Sequence, residues 1–256
     1  MIDTHCHLMD EGLFENLERI CEQAADSGVK GVYCVSTTPS TWERMIISRE
    51  KVLDILPESR FFAGIHPWFV NENIEDNIKT LESYVHDIDG IGEIGIDLGQ
   101  RHINTRDIQM SALELQLSIA STHNLPCSIH AVKSHDEVIT LIKKYQEVTG
   151  IIHSFSGNPA QAKFYSENNW KLGVGFFITN PQAHRLRRVI KGLDEKSIVL
   201  ETDSPYVKPF DYEKNSISRP DMLKIVTDEL SNLRSISQTE MLDIVKNNTL
   251  EVFKNV

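Results

Sequence analysis

The sequence predicts an α/β protein, a (β/α)8 TIM barrel with a metal site at the C-terminal face of its strands. Three observations carry this expectation. Eight short apolar runs alternate with longer amphipathic segments, helix-start signals fall between several of them, and the length of 256 residues is close to the ~250 of a single barrel. An open doubly wound sheet is the fallback. No Gly/Ser-rich linker, charge block or low-complexity stretch divides the chain, so residues 1–256 read as one domain.

The strands are expected, in order, at residues 1–6, 30–36, 60–65, 91–96, 126–129, 150–152, 171–174 and 197–200. Thr38-Pro39 opens a helix after the second strand, because a Thr cap suits the Pro that follows it at the first helical position. After the fourth strand, residues 107–123 place Met110, Leu113, Leu117 and Ala120 on one apolar stripe that can cover a strand pair. Ser134 and Glu137 fit a capping box after the fifth strand, and Ser237 and Glu240 fit another near the C-terminus. Asn158-Pro159 and Asn180-Pro181 start the helices after strands six and seven.

With 40% hydrophobic and 25% charged residues, the chain is an ordinary globular one, neither disordered nor collagen-like. Its apolar runs fall far short of the ~20 residues of a membrane span. The four cysteines show no CxxC pairing and the first residues have no signal-peptide pattern, so the expected location is cytoplasmic and no membrane or obligate protein partner is implied. A net charge of −11 repels polyanions and argues against broad nucleic-acid binding.

In a barrel, reactive side chains belong at the C-terminal ends of the strands. The first strand ends His5-Cys6-His7, and residues two apart share a face. The third runs into His66, the fourth carries Glu93 through Asp97, the fifth and sixth end at His130 and His153, and the eighth reaches Asp203. A single histidine on an apolar strand is usually a hydrogen-bonded core residue. Five of the ten histidines at strand ends, joined by Glu93 and Asp203, instead point to a metal site. Four imidazoles and two carboxylates exceed what one catalytic ion uses, so two ions about 3.5–4 Å apart are expected, with Glu93 bridging them. His86, His102, His123, His135 and His184 are read as surface residues.

The motifs Asp3-Thr4-His5-Cys6-His7-Leu8, Gly64-Ile65-His66-Pro67, Ile91-Gly92-Glu93-Ile94-Gly95-Ile96-Asp97, His153-Ser154-Phe155-Ser156-Gly157 and Glu201-Thr202-Asp203-Ser204-Pro205, in this order, resemble the TatD family of metal-dependent deoxyribonucleases, TIM barrels of the amidohydrolase-like superfamily. The resemblance implies one metal held by His5, His7 and Asp203, a second held by His130 and His153, and Glu93 shared between them. It implies two divalent cations, Zn, Mn or Mg, and two-metal hydrolysis of a phosphodiester with Asp203 and Glu93 as catalytic residues. It places His66 beside the site, in contact with substrate or metal-bound water; Lys133 is a further candidate substrate contact by its position, and the net charge of −11 suggests short or single-stranded DNA or a small phosphodiester or ester as the substrate.

The chain departs from the family pattern at Val132, where members usually carry Arg, with Lys133 one place later. A lysine offers a point charge in place of a planar fork, which weakens phosphate recognition. Arg101, Lys133 and the run Arg185, Arg187 and Arg188 are candidate anion contacts, the last group also reading as a solvated helix face. The alternative reaction is metal-dependent hydrolysis of an amide, lactone or ester, such as a D-aminoacyl-tRNA link. Two bound divalent cations would add +4 at the mouth and make the local field attractive to anions.

Overall fold

The computed structural model describes residues 1–71 and 73–253; the expected domain, 1–256, also includes residues 72 and 254–256, which lie outside the described ones. Eight parallel strands form one sheet in the order β1 to β8: Ile2–Cys6, Gly31–Ser36, Arg60–Ala63, Gly90–Asp97, Cys127–Val132, Gly150–Ile152, Lys171–Val174 and Ile198–Leu200. The eighth closes on the first at their C-terminal ends. There the Asp203 N–H donates to the His5 carbonyl (3.0 Å) and the His7 N–H to the Ser204 carbonyl (2.8 Å). Asp3 and Thr202 join the same seam through a 2.6 Å hydroxyl–carboxylate bond. The result is the TIM barrel that the alternation of short apolar runs and amphipathic segments predicts.

Helices α1 (Leu17–Asp26), α2 (Pro39–Ile55), α3 (Ile74–Ser83), α4 (Arg106–His123), α5 (His135–Ile142), α6 (Pro159–Glu167), α7 (His184–Lys191), α8 (Leu223–Arg234) and α9 (Gln238–Glu251) connect and cover the strands. None in the described residues is long and apolar enough to cross a membrane. The alternation of the strands is visible in the core. Val32 and Cys34, Phe61 and Ala63, and Ile198 and Leu200 join the large cluster with the helices, whereas Tyr33, Val35, Phe62 and Val199 form a second cluster with Ile2, Ile151 and Val252. Successive side chains point to opposite faces, one toward the helices and one into the barrel.

Thr38 and Asn158 cap α2 and α6 with Pro next in the chain, as expected, and the Ser237 side chain accepts the Glu240 N–H. Two caps differ. Asn180 ends a 3-10 turn, and its Oδ1 accepts the Gln182 N–H (2.9 Å) in an Asx-type turn; α7 starts only at His184. Ser134 precedes α5 but makes no capping bond, because its hydroxyl donates instead to the buried Ile96 carbonyl at the end of β4 (2.6 Å).

The stripe on α4 is wider than its apolar residues indicate. Leu113, Leu117 and Ala120 are buried, but so are Gln109 and Gln116, seven residues apart on one face. The Gln109 Oε1 accepts the Asp97 N–H (2.7 Å) while its Nε2 donates to the Asp97 carbonyl (3.1 Å), and Gln116 clasps Ile65 in the same way (2.7 and 3.3 Å). Each amide completes the hydrogen bonding of a strand end that has run past its neighbour, fixing the backbone beside His66 and Asp97.

Candidate metal centre

Strand alternation aims the donors inward. Cys6 packs in the outer cluster, so His5 and His7 on either side of it face the barrel mouth. Ile129 and Ala131 likewise pack outward and leave His130 inside. The β4–β5 register shifts between Ile91 and Ile94, an irregularity that carries Glu93. His153 follows the last residue of β6, and Asp203 adopts φ 54°, a left-handed conformation that Asp tolerates and that turns its carboxylate toward the centre.

The two oxygens of Glu93 face different partners. Oε2 lies 3.4 Å from Nε2 of His5 and of His7, whereas Oε1 lies 2.9 Å from His130 Nδ1, 3.5 Å from His66 Nε2 and 3.9 Å from His153 Nε2. Asp203 reaches His7 through Oδ1 and His153 through Oδ2, both at 3.5 Å. Three overlapping sets have donor atoms close enough to hold an ion: His5, His7 and Asp203; His5, Glu93 and His153; and His66, Glu93 and His130. The convergent atoms are all imidazole nitrogens and carboxylate oxygens, and the Nε2 atoms of His5 and His7 stand 3.3 Å apart beside one carboxylate oxygen. That donor set suits a divalent transition metal.

All six expected ligands therefore fall in one connected cluster. His66 meets them too, but its Nδ1 accepts the Trp68 N–H (3.2 Å). A neutral His66 then carries its proton on Nε2, toward Glu93, as a hydrogen-bond donor rather than a lone-pair ligand.

Behind the donors stands a set of supporting groups that sequence reasoning did not assign. Ser128 Oγ lies 3.0 Å from His5 Nδ1, Asp97 Oδ2 lies 3.2 Å from His130 Nε2, and Glu201 Oε1 lies 3.1 Å from His153 Nδ1. Asp97 is itself held by the Trp68 indole N–H (2.7 Å), and Glu201 accepts the Ser154 N–H (2.6 Å). Such partners orient a ligating imidazole and raise its basicity. Period two was the available signal: Ser128 stands two residues before His130, and Glu201 two before Asp203.

Charge follows the geometry. Burial opposes ionisation of Glu93, but the surrounding histidines, His66 and His5 foremost, hold its carboxyl well below the usual range. Burial is likewise outweighed at Asp203, where His153 and His7 keep the carboxylate ionised. Burial disfavours the His153 cation, yet Glu201 and Asp203 together push its pKa up to about 10. His66 is dominated by burial and falls to about 4. The cluster is thus a field of fixed negative charge answered by imidazoles, with His66 neutral at its edge.

The centre floors a cavity of about 640 Å³ whose rim includes Trp68, Phe69 and Tyr206. A second cavity of about 420 Å³, lined by Val132, Phe155, Phe177, Leu186 and Val207, opens on the other side of His130, His153 and Asp203. Val132 therefore presents an apolar wall beside the donors. Lys133 is exposed just beyond β5, with φ 55°, and lines neither cavity; Arg101 is exposed as well. Three histidines expected at the surface are placed otherwise, His123 being half-buried with its Nε2 4.0 Å from Glu82. His135 is buried against Phe155 and Tyr165, with its Nδ1 3.2 Å from the Tyr165 hydroxyl, because it starts α5 on the face that packs against α6. His102 is half-buried under Trp68, their rings stacked 5.1 Å apart.

Comparison with known proteins agrees with this architecture. Residues 2–254 match the family model described as TatD related DNase. An uncharacterized metal-dependent hydrolase of Haemophilus influenzae is 28% identical, the alignment covering 97% of this chain and 96% of that one. The human protein named deoxyribonuclease TATDN3 is 24% identical over 99% of this chain and 94% of its own. Among solved structures, the TatD homologue YJJV of Escherichia coli K12 superposes with a TM-score of 0.91 at 27% identity, covering 99% of this chain and 97% of that chain.

Proposed function

The chain belongs to the TatD-related DNase family, and from that premise we propose that it is a metal-dependent hydrolase that cleaves phosphodiester bonds of DNA, with short or single-stranded DNA as its substrate. The observation that carries the reading is the division of Glu93, one carboxylate oxygen toward His5 and His7 and the other toward His130 and His153. A carboxylate so placed suits two cations side by side. In this reading His5, His7 and Asp203 would hold one, His130 and His153 would hold the other, and Glu93 would contribute to both; imidazole-rich ligation favours Zn or Mn over Mg. Cations held there would supply charge neutralisation at the phosphoryl oxygens and would lower the pKa of a water toward neutrality.

The residues do the rest. Asp203, kept ionised at the edge of the cluster, takes the proton of the attacking water and passes it toward the leaving oxygen. His66, neutral and carrying its proton on Nε2 beside Glu93, would offer that N–H to a phosphoryl oxygen. Lys133 meets a phosphate outside the cavities as a point charge. The match over residues 2–254 supports reading the chain as one catalytic domain, and its four unpaired, buried cysteines suit a reducing cytoplasm. The family match also favours phosphodiester over amide, lactone or ester hydrolysis.

The test is hydrolysis of bis(p-nitrophenyl) phosphate and of a deoxyoligonucleotide by the Mn- or Zn-loaded protein, beside an ester and lactone panel. Glu93→Ala and His153→Ala should abolish phosphodiester cleavage while circular dichroism shows a retained fold. Activity in either folded variant sinks the two-cation reading.

A further inference from the structure

The metal centre is the middle of a longer groove. His130, His153 and Asp203 line both the aromatic-rimmed cavity and the second, apolar one, so the two lobes meet at the donors. Ser156, Ala183 and Leu186 in turn line both the second cavity and a third groove, which continues outward past His184 and Arg185. Each stretch offers a different chemistry. Trp68, Phe69 and Tyr206 on one side are 51%, 47% and 62% exposed, and Phe177 in the second lobe is 52% exposed, so four aromatic side chains are open to a ligand, Trp68 on the face away from His102.

The far end is cationic. Helix α7 carries Arg185, Arg187, Arg188 and Lys191 and is the one α-helix among the described residues without an acid, in a chain of net charge −11. Arg187 is tied to Glu229 and to the Ile178 carbonyl. Arg185 is exposed, has no ion-pair or hydrogen-bond partner among the described residues, and lines the groove. Arg188 lies on a different surface, between α6 and α7.

We propose that this groove is the binding track of a single nucleic-acid strand. An unpaired base stacks at Trp68 and Tyr206, the scissile phosphate sits at the donors, the next base lies against Phe177, and a following phosphate meets Arg185. Unpaired bases suit the aromatic faces, since a base inside a duplex has its faces covered by its neighbours. An apolar lobe followed by a free guanidinium has the order of base and phosphate along a strand. The inference rests on the phosphodiesterase reading and adds to it the direction that the strand takes and the residues that grip it.

The test is fluorescence anisotropy of the full-length Mn-loaded protein with a labelled phosphorothioate deoxythymidine decamer, which resists cleavage, over a series of salt concentrations. Arg185→Ala should weaken binding about five- to tenfold and reduce the slope of log affinity against log salt by about 0.7, the loss of one single-strand phosphate contact. Phe177→Ala should weaken binding about fivefold or more. Arg188→Ala removes the same charge outside the track and should leave affinity within about twofold. Equal responses of Arg185→Ala and Arg188→Ala, or a duplex bound as tightly as the decamer, overturn the track. Bis(p-nitrophenyl) phosphate hydrolysis separates the two claims: binding through Arg185 without hydrolysis refutes the reaction and keeps the track, whereas hydrolysis with identical binding by the two arginine variants refutes the track alone.

Discussion

Replacing Gly173 by alanine tests whether the group behind His153 is held as tightly as the structure implies. Gly173 lies in β7, and a methyl added there would sit 2.6 Å from the Glu201 carboxyl carbon and 3.0 Å from its Oε1, with Oε2 nearer still. Glu201 is wholly buried and cannot swing into solvent. The carboxylate must shift and loosen both its 2.6 Å bond from the Ser154 N–H and its 3.1 Å approach to His153. Overpacking costs about 1–3 kcal/mol, and weakening a charged hydrogen bond costs about 1.5–3 kcal/mol when lost outright. A total near 3 kcal/mol is expected, which for a chain of this size lowers Tm by about 6–12 °C. With His153 holding a cation as proposed, displacing its partner further predicts about 10–100-fold weaker metal binding.

Gly175 is the internal control. A methyl there meets its nearest atoms, Glu201 Cγ and O, at 3.4 Å, and the backbone at φ −120° is one any residue adopts. Gly175→Ala should therefore stay within about 1 kcal/mol of the parent. The assays are thermal denaturation and calorimetric titration with Zn or Mn. If Gly173→Ala melts within a degree or two of the parent, or the two variants respond alike, then Glu201 is not clamped between β7 and His153.

Two further outcomes follow from groups away from the donors. Burial holds the His135 imidazole down to about 4, so on acidification the unfolded chain takes up a proton near pH 6.5 while the folded protein does not. The folded state consequently loses stability as pH falls from about 6.5 to about 4, by up to about 3 kcal/mol; in urea denaturation at pH 7 and pH 4.5, His135→Gln should lose less than the parent, and parallel losses would show that His135 does not titrate in this way. Gln109→Leu strands the Asp97 N–H and carbonyl at the end of β4 and should cost about 2–4 kcal/mol in the same assay, whereas a loss under about 0.5 kcal/mol would mean that α4 holds β4 by apolar contact alone.

Much of this protein is legible in its sequence because a barrel strand is a local object. Alternation within six or fewer residues decides which side chains face inward, so His5, His7 and His130 declare their direction without knowledge of their neighbours. The order of apolar runs and caps similarly announces eight βα units, and Thr38-Pro39 and Asn158-Pro159 mark helix starts by bonds made within four residues. The readings that differ are those in which a side chain had a better partner elsewhere. Ser134 fits a capping box by sequence, but the Ile96 carbonyl, 38 residues away, takes its hydroxyl. His135 reads as a surface residue until Phe155 and Tyr165 close over it.

What the sequence determined by itself is therefore the set of donors: imidazoles and carboxylates on or just beyond five of the eight strands, with the facing of His5, His7 and His130 fixed by a period of two. The tertiary structure decided how they are used. Only the closed barrel brings residues 5 and 203 together, divides the Glu93 oxygens between two groups of histidines, and sets Ser128, Asp97 and Glu201 behind their imidazoles. Likewise, only the packing of loops around the mouth joins the two cavities and leads them to Arg185. The physical reason is range. Side-chain direction is a property of a few consecutive dihedral angles, whereas a hydrogen bond or shared ligand between distant residues exists only once the intervening chain has folded.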